Sequence, residues 1–196
     1  MEEKRLYFIP GRGECLNDVL GHLIASTGYA ISGREIVSDF ARLRFAEQLA
    51  LIRSDLQPAF WHRDGVLVGR SYGAYLLLHT LADMNAFPGK ILLCSAVLGA
   101  AVAKNGLFGS RPPRAERLIK LAESNAFPAP GYLEIHTGAK DSGCDPLLAA
   151  RFASLVKNAR LEIVAGAGHE LGAEYLQRVL CRFLNNKQPA EESVGK

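Results

Sequence analysis

Short apolar runs alternate along this chain with stretches in which apolar residues return every three or four positions. Runs of strand-like composition occur at 6–9, 29–37, 66–68, 91–97, 132–136 and 161–165, giving six predicted strands. Between them Leu16, Val19, Leu20, Leu23 and Ile24, then Phe45, Leu49, Ile52 and Leu56, fall on single helical faces. Further helices are predicted over 72–84, 114–123, 146–157 and 170–184, with Pro146 suited to a first turn. Helix following strand throughout requires right-handed crossovers. The pattern therefore predicts an α/β fold with a six-stranded, mostly parallel sheet covered by helices on both faces. No repeat or linker interrupts it, so one domain is expected over 1–186, with a polar, disordered tail over 187–196. The longest connection without a strand, 99–130, mixes Gly, Pro and apolar residues around one short helix. Long irregular connections of this kind often serve as lids or binding loops.

Composition narrows the class. A chain of 196 residues that is 48% hydrophobic and 22% charged suits one globular domain and excludes disordered and fibrous classes. Its 23 basic and 20 acidic residues leave a net charge of +3, too small for a dedicated nucleic-acid or polybasic membrane surface. No apolar run approaches the roughly 18 to 20 residues of a membrane-spanning helix. The first run, 6–9, is too short for a signal-peptide core and reads as a strand. Cys15, Cys94, Cys144 and Cys181 form no CxxC pair, which argues against a zinc ribbon, a redox motif or a disulfide scaffold. Reduced thiols in a cytoplasmic protein are the expectation.

Three features carry chemistry. Gly69-Arg70-Ser71-Tyr72-Gly73 lies between the apolar run 66–68 and the helix-like 74–78, so a GxSxG motif occurs in strand-turn-helix context. That context holds a serine in a tight, strained turn while the flanking glycines let backbone approach, which leaves the hydroxyl exposed as a nucleophile. The run 132–136 ends in Gly138-Ala139-Lys140-Asp141, which places an acid at the carboxyl edge of the sheet, where open parallel sheets bind ligands. The last strand leads into Gly166-Ala167-Gly168-His169. Ser, Asp and His thus follow three strand ends in the chain order of a triad on this kind of sheet. Asp145 competes for the acid's role, although its place before Pro146 suits a helix N-cap; Asp141 lies nearer the strand end and is preferred. The Gly11-Arg12-Gly13 turn lacks the third glycine of a dinucleotide site.

On these motifs the chain resembles the α/β-hydrolase superfamily from about residue 6 to residue 184, and within it the small lidless bacterial-type serine esterases and thioesterases. The resemblance implies a minimal version of that fold, with strand order 2-1-3-4-5-6. It also implies Ser71 as nucleophile, Asp141 as acid and His169 as base. For the oxyanion hole it implies the backbone N–H groups of Tyr72 and Arg12, although Pro10 stands before Gly11 where the family commonly has His-Gly.

The expected activity is hydrolysis of a carboxylic ester or thioester of a small to medium acyl group through an acyl-enzyme, without cofactor or metal. An amidase or peptidase using the same triad, and a non-catalytic binding protein on a hydrolase fold, are the alternatives. The expected partner is a small-molecule acyl substrate, with neither nucleic acid nor membrane. Arg70, Leu107 and Phe108 are candidate substrate contacts, the arginine for an anionic group and the two apolar residues for a shallow wall; Arg12 is a second candidate cation, and Glu14 or solvent is the alternative partner for both arginines. His22, His79 and His136, set among apolar neighbours, are expected to be hydrogen-bonded structural residues, as is His62 beside Trp61. Cys144 reads as an ordinary loop cysteine.

Overall fold

Burial on both faces of the central strands sets the architecture. The computed structural model describes residues 3–57, 59–100 and 112–185. Its elements run β1 (Arg5–Ile9), α1 (Val19–Ser26), β2 (Ala30–Gly33), α2 (Ser38–Arg42), α3 (Phe45–Leu56), β3 (Val66–Arg70) and α4 (Ser71–Leu81). They continue with β4 (Lys90–Cys94), α5 (Arg117–Glu123), β5 (Tyr132–Gly138), α6 (Pro146–Leu155), β6 (Ala159–Val164) and α7 (Ala173–Asn185). The six strands form one sheet in the order β2-β1-β3-β4-β5-β6, and every pairing is parallel. β1 lies inside the sheet, Phe8 standing opposite Gly33 of β2 and Val68 of β3.

Odd and even strand positions face different cores. Leu67, Ile91, Leu93, Leu133 and Ile135 pack with buried residues of α3, α4, α5 and α6. Leu6, Phe8, Val66, Val68 and Leu92 face the opposite way, toward α1 and α7. α7 buries Leu176, Val179, Leu180 and Phe183, a three- and four-residue spacing that gives one apolar stripe. Each such fully buried side chain contributes roughly 1.5–3 kcal/mol by leaving water. Among the described residues no helix is long and apolar enough to cross a membrane.

Among the differences from the predicted elements, those at the second strand, α2 and α5 have a local reason. The second strand covers only Ala30–Gly33 rather than 29–37. There Arg34 turns to Asp55, donating to its carboxylate at 2.5 and 2.8 Å beside the Tyr7 hydroxyl at 2.6 Å. Beyond that turn Ile36 forms an isolated parallel bridge with Arg12, on the loop after β1. α2 went unforeseen, and it begins at a serine with φ of 48°, an unusual entry to a helix. α5 starts at Arg117 instead of 114 because Arg114 has a φ of 61°, outside the right-handed helical region.

Candidate active site

The carboxyl ends of β3, β4, β5 and β6 deliver the site. At the end of β3 the chain passes directly from Arg70 into α4, and Ser71 at the corner has a φ of 51°. A non-glycine residue in the left-handed region is strained. Here the glycines of the motif make room for that turn. A Cβ on Gly69 would lie 2.8 Å from Ala74 Cα, and one on Gly73 would lie 2.2 Å from the Pro10 carbonyl oxygen. The first gap lets α4 close on its own strand; the second lets it close on the loop after β1. Ser71 is consequently held at the N-terminus of α4, where the first N–H groups have no partner within the helix and the dipole favours negative charge.

His169 reaches Ser71 from the loop after β6. Its Nε2 lies 3.0 Å from Ser71 Oγ, and its Nδ1 lies 3.0 and 3.1 Å from the two carboxylate oxygens of Asp141. The carboxylate only accepts, so Nδ1 carries the proton and, in the neutral ring, Nε2 is left to accept from the Ser71 hydroxyl. The Asp141 side chain is fully buried while the His169 side chain is 22% exposed, which opens the base to the reacting side and shuts the acid away. Asp141 Oδ1 is also held by the N–H groups of Gly143 and Cys144, both at 2.9 Å. Gly138 permits this meeting of loops, since a Cβ there would fall 2.0 Å from the Gly168 carbonyl oxygen. The structure therefore brings Ser71, Asp141 and His169 together. Asp145 stands apart as the N-cap of α6, accepting from Leu147 N–H at 2.9 Å.

Arg12 lies on the loop after β1, and its guanidinium sits 4.4 Å from the centre of the Tyr72 ring. The loop carrying Arg12 is thus adjacent to the residue after Ser71. Within that loop the Gly11 N–H donates to the Glu14 carboxylate at 2.7 Å, and the Gly13 N–H to the Ile36 carbonyl at 3.0 Å. Arg70, a candidate substrate cation, is instead paired with both Glu14 and Glu170. The carboxylates reach it because each belongs to a loop that borders Ser71. Leu107 and Phe108 lie outside the described residues.

Ser95, which sequence reasoning passed over, and Cys144, which it read as an ordinary loop cysteine, complete the surroundings. Ser95, just past β4 with a φ of 47°, donates its hydroxyl to the His169 carbonyl at 2.6 Å. Cys144 donates its thiol to the Ser95 carbonyl at 2.8 Å, and its sulfur lies 3.8 Å from His169 Nδ1. The only signal for Ser95 was its position, a polar residue closing an apolar strand; Cys144 lay near the acid in sequence but had no basic partner there to mark it. Burial, reinforced by the Asp141 charge, pushes the Cys144 thiol far above its usual range. Among the described residues Asp141, Cys144 and His169 form a group whose ligand-type atoms lie within 4.8 Å of one another. Those atoms are already engaged by the hydrogen bonds just given, and burial favours the protonated thiol over the thiolate a metal needs.

The other histidines divide. His136 is buried and hydrogen-bonded, to Glu134 and to the Tyr175 hydroxyl at 2.7 Å each. His79 is buried between the Phe45 and Tyr75 rings, and neither of its ring nitrogens has a partner among the described residues. Aromatic packing, rather than the expected hydrogen bond, holds it. His22 and His62 are exposed.

Solved structures resemble the chain over nearly its whole length. Est1E from Butyrivibrio proteoclasticus is 14% identical, with a TM-score of 0.67 over 93% of this chain and 88% of that one. A monoacylglycerol lipase from Paleococcus ferrophilus is 14% identical, with a TM-score of 0.64 over 92% and 93%. A candidate hydrolase of the α/β superfamily from Xanthomonas campestris pv. campestris is 15% identical, with a TM-score of 0.65 over 92% and 98%. No family model and no curated sequence matches the chain. At such identities the likeness speaks for the fold, and the site must speak for the chemistry.

Proposed function

Starting from a chain with the α/β-hydrolase fold, we propose that it is a serine hydrolase. It cleaves a carboxylic ester or thioester of a small to medium acyl group through an acyl-enzyme. The observation that carries this reading is the unbroken chain of hydrogen bonds from Ser71 Oγ through His169 to the buried Asp141, at 3.0 Å on each side of the ring.

In the first half-reaction Ser71 Oγ attacks the acyl carbon while His169 Nε2 takes its proton, and the carbonyl π electrons move onto oxygen. The N–H groups of Tyr72 and Arg12 receive that oxyanion, the former backed by the α4 dipole. Asp141 stabilises the imidazolium and holds its orientation. Collapse re-forms the carbonyl and breaks the bond to the leaving oxygen or sulfur, which takes the proton from Nε2. Water then repeats the sequence against the acyl-serine, releasing the acid and restoring Ser71. Esterases and a lipase among the solved structures that share the fold support the reaction class. Arg70 gives no reason to prefer anionic acyl groups, because it is neutralised by two carboxylates.

A fluorophosphonate probe followed by intact-mass measurement tests the assignment. One adduct on the parent and none on Ser71→Ala is the expected result; equal labelling of both would remove Ser71 from the role. A panel of matched ester, thioester and amide substrates then separates the leaving-group classes, and a rate on the amide equal to that on the ester would favour an amidase.

A further inference from the structure

Arg70 closes β3 one residue before Ser71, and it is only 9% exposed. Its guanidinium is bound on two sides. One partner is Glu14, on the loop after β1, whose carboxylate also accepts the Gly11 N–H at 2.7 Å. The other is Glu170, the residue that follows His169, at 2.5 Å. One cation at the base of the nucleophile turn is therefore tied to the loop that carries Arg12 and to the loop that carries the histidine.

A planar guanidinium has five donors in set directions, so it can hold two carboxylates at a defined angle; an ammonium offers a point charge without that geometry. The two ties are unequal. The Glu14 side chain is 27% exposed and the Glu170 side chain 78%, so water screens the second pair more than the first. The chemistry needs the N–H groups of the first loop and the imidazole of the second placed within fractions of an ångström of Ser71, and Arg70 ties both loops to the residue beside it.

Resting on the serine-hydrolase reading, we propose that Arg70 is a positioning residue: through Glu14 it sets the oxyanion loop, and through Glu170 the histidine loop, each relative to Ser71. It does not touch substrate. A misplacement of about 1 Å in either loop costs up to about a hundredfold in rate. Because the substrate's ground state makes no contact with Arg70, the loss falls on kcat rather than on KM.

The test compares Arg70→Met, Arg70→Lys, Glu14→Gln and Glu170→Gln in the full chain, by kinetics on an ester the parent hydrolyses and by amide hydrogen exchange. Arg70→Met should lower kcat about 10- to 100-fold with KM within about threefold, and Arg70→Lys should recover part of that loss. Exchange should rise in both loops for Arg70→Met, in residues 10–15 alone for Glu14→Gln, and in residues 166–172 alone for Glu170→Gln. A kcat within twofold of the parent in Arg70→Met, or exchange rising evenly over the whole molecule, would overturn the proposal. Should Arg70→Met fail to fold, the two glutamine variants decide through the loop specificity of their exchange. The exchange readout does not depend on turnover, so a parent that hydrolyses no ester would count against the proposed function and leave the loop-setting role to be judged on its own.

Discussion

Asp141 and Asp145 stand on the same loop with the same side chain, and their surroundings give them different work. Asp141 is buried and faces His169 Nδ1, whereas Asp145 closes the first turn of α6. Asp141→Asn should therefore lower kcat by about four orders of magnitude, since an amide disturbs the tautomer and does not offset an imidazolium. Asp145→Asn keeps an equally good cap and should stay within about twofold; comparing kcat and far-UV circular dichroism of the two variants checks this, and the reverse ranking would move the acid to Asp145. Cysteine accessibility follows the same logic. Burial pushes the Cys94 thiol up to about 12 and raises the Cys144 thiol as well, while Cys181 is exposed. Iodoacetamide at neutral pH should alkylate Cys181 and spare Cys94 and Cys144 until the chain is unfolded, as read by peptide mass mapping. What the sequence disclosed at this scale was whatever a few neighbouring residues encode: the serine turn, the GxxD acid, the Asp-Pro cap. Partnerships across the fold stayed hidden. Glu14 was an alternative partner for Arg70 from the sequence, but Arg70 and Glu170 lie 100 positions apart, and no local pattern announces that this second carboxylate joins it.

At the scale of elements, the site depends on how closely backbones approach. Gly73 allows α4 to lie on the loop after β1, and Gly138 allows the histidine loop to lie on the end of β5. Gly73→Ala should destabilise the fold by about 1–3 kcal/mol, because the obstructing atoms are backbone carbonyls that cannot rotate away. Gly138→Ala should lose activity out of proportion to its stability, since the displaced atoms belong to the loop carrying His169. Gly168→Ala is the control: a Cβ there meets nothing closer than 4.0 Å, so urea midpoint and kcat should both stay near the parent values. If Gly168→Ala were as damaging as Gly138→Ala, contact would not be the cause. The six strands and most helices were legible because burial on both faces gives the central strands continuous apolar runs, while burial of one face gives helices a three- and four-residue period. Where the chain is set by a single contact, the pattern misleads. Residues 34–37 have strand-like composition, yet the ion pair of Arg34 with Asp55 turns the chain away after Gly33, and the left-handed Ser38 and Arg114 decide where α2 and α5 begin.

On each side of the sheet a buried group with a lowered pKa, His79 in one layer and Glu134 facing the other, makes the whole molecule respond to acid in two successive steps. His79 lies in the layer of α3 and α4; burial, helped by the charges of Arg117 and Arg114 and opposed by Asp83, lowers it from 6.5 to about 4. Glu134 faces α7. Burial alone would raise it, but hydrogen bonds from His136 and Tyr132, together with the Arg182 charge, bring it from 4.5 down to about 2. For His79 the unfolded chain takes up its proton first, so stability falls as pH drops from about 6.5 to about 4, by up to on the order of 3 kcal/mol. For Glu134 the stabilisation is present above about 4.5 and is lost as pH falls toward about 2. Urea unfolding of the parent should therefore show stability declining in two consecutive windows. His79→Leu removes a group whose nitrogens have no partner and fills a similar apolar volume, so it should match or exceed the parent at pH 7 and flatten the curve between pH 6.5 and 4. Glu134→Gln should do the converse, weakening the fold at pH 7 by unbalancing the Arg182 pair while flattening the lower window. If His79→Leu retained the parent's full slope above pH 4.5, the first window would belong to some other group and the buried neutral imidazole would not be its source.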